Sequence, residues 1–150
     1  MQEVQTHHHF NFFELSRIHQ LDVGRFLLRF SIGGLMLFHG ISKTLHGTEM
    51  ISQLLARVGL PVFFSFGVLV AEIIAPIMLI LGFKSRIAGL LIALDMFMAI
   101  LLVHSQQFFK ISAIGGWMLE LNGLYFFGAL AIAFLGSGKI SVSKGEGSWD

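Results

Sequence analysis

The chain has 150 residues, 55% of them hydrophobic and only 13% charged, with a formal net charge of +1. A soluble domain carries about 25% charged residues, so the natural solvent for this outer surface is lipid, and the length allows one domain. The near-neutral charge and the lack of a long basic run give nucleic acid no footing, and the absence of cysteine excludes disulfides, thiolate metal sites, iron–sulfur clusters and covalent haem.

The chain opens with a polar and mixed tail (residues 1–22) that carries no small-residue cleavage site, so the first apolar run reads as an uncleaved anchor. His7, His8 and His9 offer nitrogen ligands there, but a histidine run on a tail is more often no site, and no metal centre is predicted. A spanning helix needs about 20 mostly apolar residues. Four segments qualify: 23–41, 60–83, 87–103 and 117–135. Between the first two, residues 48–58 place Met50, Ile51, Leu54, Leu55 and Val58 at the spacing of a short amphipathic helix on the outer surface. Pro76 predicts a kink in the second span. After Gly136 the chain becomes polar and glycine-rich, which predicts a loosely ordered tail over 137–150.

Open strands cannot leave backbone groups unpaired in hydrocarbon, and these segments lack the alternation of barrel strands. The expected fold is therefore all-α: an integral membrane four-helix bundle over 23–136, with the short amphipathic helix between the first two spans. Arg17, Arg25, Lys84, Arg86, Lys139 and Lys144 lie on one side of the predicted topology, against Lys43, Arg57 and Lys110 on the other. That excess places both termini in the cytoplasm.

Each span contains an ionisable residue: Arg29, Glu72, Asp95 and Glu120. A charge at a helix centre costs about 2.5–3.5 kcal/mol on insertion scales, far more than one Leu or Phe returns. Such residues should point inward and pair, or line a wet cavity. Depth puts Glu72 and Asp95 near the midplane, where Arg29 can reach up to Asp95, to Glu72 or to both. Glu120 lies near the outer surface. His39, Lys43 and His46 share one face at the outer end of the first span, and His104 ends the third at the same level. Two polar layers are expected: a midplane carboxylate pair with Arg29, and an outer pocket of His39, Lys43, His46, His104 and Glu120.

No nucleophile elbow, HExxH pair, phosphate loop or dinucleotide fingerprint is present, so hydrolysis and nucleotide chemistry have no support. An apolar pocket with a few fixed acids, histidines and a lysine suits a quinone. Its oxygens want hydrogen-bond donors, and its reduction needs protons from groups titrating near neutrality.

Several blocks in order then resemble the DoxX family of small four-span membrane proteins over residues 27–142. They are Gly34 through Phe38-His39-Gly40 to Lys43; Glu72 with Leu81-Gly82 and Arg86; Val103-His104 with Phe108-Phe109; Gly115-Gly116 leading to Glu120; and Gly136-Ser137-Gly138-Lys139-Ile140-Ser141-Val142. Ser143 stands where the family's closing signature usually has Asp, and Asp95 matches no family position. The resemblance singles out Lys43, Glu72, His104 and Glu120. It implies a multi-pass protein of a bacterial inner membrane, similar to a membrane subunit of a thiosulfate:quinone oxidoreductase, or to members tied to oxidative stress and resistance to quinones and catechols.

The leading expectation is thus a quinone-linked oxidoreductase component. His39, Lys43 and His46 would bind substrate, and Glu72, Glu120 and His104 would move protons. Arg29 and Asp95 would form a structural ion pair. The cofactor is quinone, with nothing covalently bound. The partners are the bilayer, a soluble redox protein to supply electrons, and a second copy of the chain. The alternatives are a non-enzymatic anchor for soluble redox proteins and, less favoured, a small proton pathway or transporter through the midplane carboxylates.

Overall fold

The computed structural model describes residues 12–46, 49–57 and 59–150; the histidine run at 7–9 lies outside them. Among the described residues there are helices, turns and no strand, only an isolated antiparallel bridge between Ile111 and Trp117.

Helix α1 runs Phe12–His46, and at 35 residues it is roughly 52 Å long. It starts well inside the stretch read as an N-terminal tail, because nothing from Phe12 onward breaks a helix. Helix α2 is Glu49–Arg57, with Glu49 in its first turn and Arg57 in its last, both complementing the helix dipole. Helix α3, Phe64–Leu81, begins just after Pro61. Its middle, Val70–Ile74, widens into a single π-helical turn. The reason is Pro76: with no N–H it cannot donate to the carbonyl of Glu72 four residues earlier, and a π-bulge absorbs the mismatch in place of a sharp kink.

Gly82 closes α3 in the left-handed conformation (φ 70°), with the amides of Gly82 and Phe83 both donating to the Met78 carbonyl at 2.9 Å. Helix α4 is Ser85–Leu102 and helix α5 is Glu120–Leu135. The connection between them holds one 3₁₀ turn, Ser105–Gln107, and Trp117 Nε1 donates to the Phe108 carbonyl at 2.6 Å. Residues 117–119, read as the start of a span, belong to that connection.

The α4–α5 contact is the most extensive helix pairing, and α1 lies against both α3 and α5. The shared core is small and apolar: Ala75 and Leu79 of α3, Ala88, Ile92 and Ala93 of α4, and Ala129 and Ile132 of α5. Small residues set the spacing, because helices in lipid gain little from burying Leu and gain from close backbone approach. At Gly89 a Cβ would come within 2.6 Å of the Ala129 carbonyl oxygen.

The outward face is the reverse of a soluble protein's. Leu27, Phe30, Leu35, Phe66, Leu94, Leu124 and Phe134 are all exposed. Helices α3 and α4, 18 residues each, are long and apolar enough to cross a bilayer, and only 33% of each is buried inside the protein. This is the surface of a membrane protein.

The C-terminal segment is not the loose tail that its composition predicts. Ser137 is fully buried, Val142 donates its amide to the Leu81 carbonyl at 2.9 Å, and Ser143 Oγ donates to the Gly82 carbonyl at 2.8 Å. The Ser85 amide donates to Asp150 Oδ1 at 3.2 Å, and Arg86 Nε donates to a main-chain oxygen of Asp150 at 2.9 Å. The segment therefore straps the ends of α1, α3 and α4 together by satisfying backbone groups that helix ends leave open.

Arg29 belongs to this strap and makes no ion pair with Asp95. Its guanidinium donates to the Leu79 carbonyl at 2.5 Å and to the Ile140 carbonyl at 2.6 Å, with 1% of the residue exposed. The side chain runs toward the near end of the bundle, where the last carbonyls of α3 lack helical partners. Gly82 makes room for it, since a Cβ there would meet the guanidinium.

Candidate functional site

At the opposite end of the molecule from the strap, a cavity of about 620 Å³ opens between α1, α2, α3, α4 and α5. The π-turn of α3 carries Glu72 into it. Gly40 of α1 sits directly against the Glu72 backbone, where any Cβ would collide with the Glu72 carbonyl. That contact brings the next turn of α1 within reach. Lys43 Nζ donates to Glu72 Oε1, an ion pair in which Glu72 is 2% exposed and Lys43 half-buried.

Glu72 Oε2 and His104 Nδ1 are buried and have no hydrogen-bond partner. Asp95 lies beside Glu72 and Lys43. His39 packs edge-on against the Tyr125 ring, 5.8 Å between centroids. Asn122 and Tyr125 enter from α5, and Gln53 and Arg57 from α2. The walls between these groups are apolar, with Met36, Met96 and Val103 among them. Among the described residues no group of three or more His, Asp or Glu stands close enough to hold a metal ion.

The structure thus brings together His39, Lys43, Glu72 and His104. His46 and Glu120 are not with them. His46 Nδ1 lies 2.8 Å from the Ser42 carbonyl and is exposed: although it shares the helical face of His39, it sits a turn too far along to line the cavity. Glu120 is exposed in the first turn of α5, its carboxyl over Gly116, where it complements the helix dipole. Because α5 starts later than its hydropathy suggests, the cavity receives Leu121, Asn122 and Tyr125 instead. The two expected polar layers become one, centred on Lys43, Glu72 and Asp95, with Arg29 removed to the other end.

Arg57, Gln53, Asn122 and Tyr125 escaped the sequence reading. Asn122 carried a usable signal, since a carboxamide inside an apolar helix seeks a partner or a cavity. Arg57 and Gln53 carried none, because on a surface helix they look like its wet face.

A buried carboxylate held by one lysine, backed by a second carboxyl and with unpartnered nitrogen and oxygen atoms in an apolar chamber, can position and exchange protons with a small polar ligand. These features define a helical membrane protein with an internal polar site. The chain belongs to the DoxX family, whose pattern matches residues 24–105. It is similar to a Bacillus subtilis (strain 168) protein named "Putative oxidoreductase CatD", 31% identical over 104 residues that cover 69% of this chain and 77% of that protein. No solved structure matches it.

Proposed function

We propose that this is a four-span inner-membrane protein with both termini cytoplasmic, and that its cavity binds a quinone headgroup as part of an oxidoreductase. α1 and α5 would cross beside α3 and α4; their exposed Leu27, Phe30, Leu124 and Phe127 continue the apolar belt. The observation that carries the quinone reading is the Lys43–Glu72 pair in an apolar chamber, with Glu72 Oε2 and His104 Nδ1 left unpartnered. Buried polar atoms without partners are rare in proteins; here the His104 ring nitrogen suits a quinone oxygen as a donor, and the Glu72 carboxylate oxygen suits the hydroxyl of the reduced quinol as an acceptor. The name of the Bacillus relative, an oxidoreductase, points the same way.

In this reading Lys43 donates to one ring oxygen and His104 to the other. Reduction takes up two electrons and two protons. His104 and Glu72 pass protons inward, with Asp95 beside Glu72 behind the chamber wall and His39 against Tyr125 in the chamber. The chain has no cysteine, so the electrons come from a separate redox protein. Glu120 and His46, outside the chamber, take no part.

The test is a titration of the detergent-purified protein with ubiquinone and menaquinone analogues, read by quenching of Trp117, which packs against Gly123 beside Asn122. Trp149 is first replaced by Phe to remove its background. Saturable binding that weakens roughly tenfold in both Lys43→Ala and His104→Ala is expected, the loss of about one charge-assisted hydrogen bond each. Binding that does not saturate, or that both variants leave unchanged, would sink the proposal.

A further inference from the structure

A second cavity, about 450 Å³, lies at the strap end of the molecule. Four cations face it, Arg25, Arg86, Lys139 and Lys144, against the two carboxylates Asp22 and Asp150. Both acids are already engaged. Asp22 Oδ1 accepts from Arg25 Nη1 at 3.3 Å and from the Lys139 amide at 3.2 Å, and Asp150 Oδ1 accepts from the Ser85 amide at 3.2 Å.

Two of the four cations, Lys139 and Lys144, are left over. Arg86 is already held by a main-chain oxygen of Asp150 and by the carbonyls of Ala133 and Phe134, at 2.9, 3.1 and 3.0 Å. Arg25 Nε is buried without a partner, and Lys139 and Lys144 make no ion pair among the described residues. Lys144 is also held at φ 55°, a left-handed backbone that a lysine adopts only when its surroundings impose it. The strap presents this cation at a backbone cost.

One side of the cavity is apolar. Ile18, Leu21 and Leu135 line it and are 40%, 56% and 46% exposed. A free inorganic anion has no use for that edge. A phospholipid does, since its phosphate sits at the membrane surface while its acyl chains run down the apolar belt.

We infer that this cavity binds the phosphate of an anionic phospholipid, with Lys139, Lys144 and Arg25 meeting its oxygens and Leu21 and Leu135 flanking the first acyl carbons. The bound lipid bridges the strap to α1 and so fastens the C-terminal segment to the bundle. The site is at the far end from the quinone cavity and stands or falls separately from it.

The test uses the full-length protein in neutral detergent, titrated with phosphatidylglycerol, phosphatidylcholine or inorganic phosphate and followed by thermal unfolding. Phosphatidylglycerol should raise the midpoint saturably, and the other two should not. Lys139→Gln/Lys144→Gln should weaken the phosphatidylglycerol response roughly 10- to 30-fold, the share of two lysines at a lipid surface. Lys110→Gln, the loss of one lysine elsewhere, should respond as wild type does. If the double variant does not fold, Lys144→Gln alone carries the test, with a shift of about fivefold. An equal response to phosphatidylcholine, a full response to inorganic phosphate, or a folded variant that titrates like wild type would overturn the site.

Discussion

Replacing Arg29 with Met removes the guanidinium while keeping most of the buried volume. The structure assigns Arg29 two charge-assisted hydrogen bonds, to the Leu79 and Ile140 carbonyls, at 2.5 and 2.6 Å. Each such bond is worth about 1.5–3 kcal/mol, which gives roughly 3–6 kcal/mol if both vanish without replacement. The removed charge also no longer has to be desolvated, which offsets part of that loss, so about 2–3 kcal/mol is expected. The loss is local. The strap should come away from α3 before the helices separate, so limited proteolysis should cut between residues 137 and 150 in Arg29→Met at protease levels that spare the wild type. Arg29→Lys, able to reach one carbonyl, should fall between the two. A double-mutant cycle of Arg29→Met with Asp95→Asn separates this account from a midplane ion pair. The coupling should be under about 0.5 kcal/mol, because the two side chains share no partner. A coupling above about 2 kcal/mol, or a strap that stays protected in Arg29→Met, would refute the reasoning.

Gly40→Val puts a branched side chain into the Glu72 backbone, so α1 and α3 must separate; a loss of about 1–3 kcal/mol in detergent unfolding is expected, together with quinone binding. Pro76→Ala restores a donor for the Glu72 carbonyl; the π-turn should relax to regular helix, leaving stability equal or higher while binding falls, because Glu72 rotates away from Lys43. Asp150→Ala removes the side-chain acceptor at the start of α4, and about 1 kcal/mol of stability should be lost, visible as faster amide exchange at Ser85 and Arg86. Glu120→Gln, at the exposed start of α5, should leave quinone affinity unchanged, whereas Glu72→Gln should reduce it.

Composition and hydropathy alone settle that this is an all-helical membrane protein, because a chain this apolar cannot be solvated by water and cannot leave strand edges open in lipid. They also mark Arg29, Glu72, Asp95 and Glu120 as costly residues that should turn inward, since the price of a charge in hydrocarbon is independent of fold details; Glu72 and Asp95 do meet at the site, whereas Glu120 stays exposed. Which charges meet is a different kind of question. Arg29 was within reach of Asp95 by depth, yet it turns the other way, because the carbonyls at the end of α3 and the strap lie there and Gly82 leaves room. Glu72 pairs with Lys43 because a proline four residues on opens a π-turn and a glycine on α1 lets two backbones touch. The strap itself, glycine-rich and polar, has the composition of a loose tail and is ordered only by the helix ends it satisfies. Hydropathy reports the free energy of each segment in its solvent, whereas side-chain partners depend on helix rotation and register to within a few ångströms. Only the packed tertiary structure sets those.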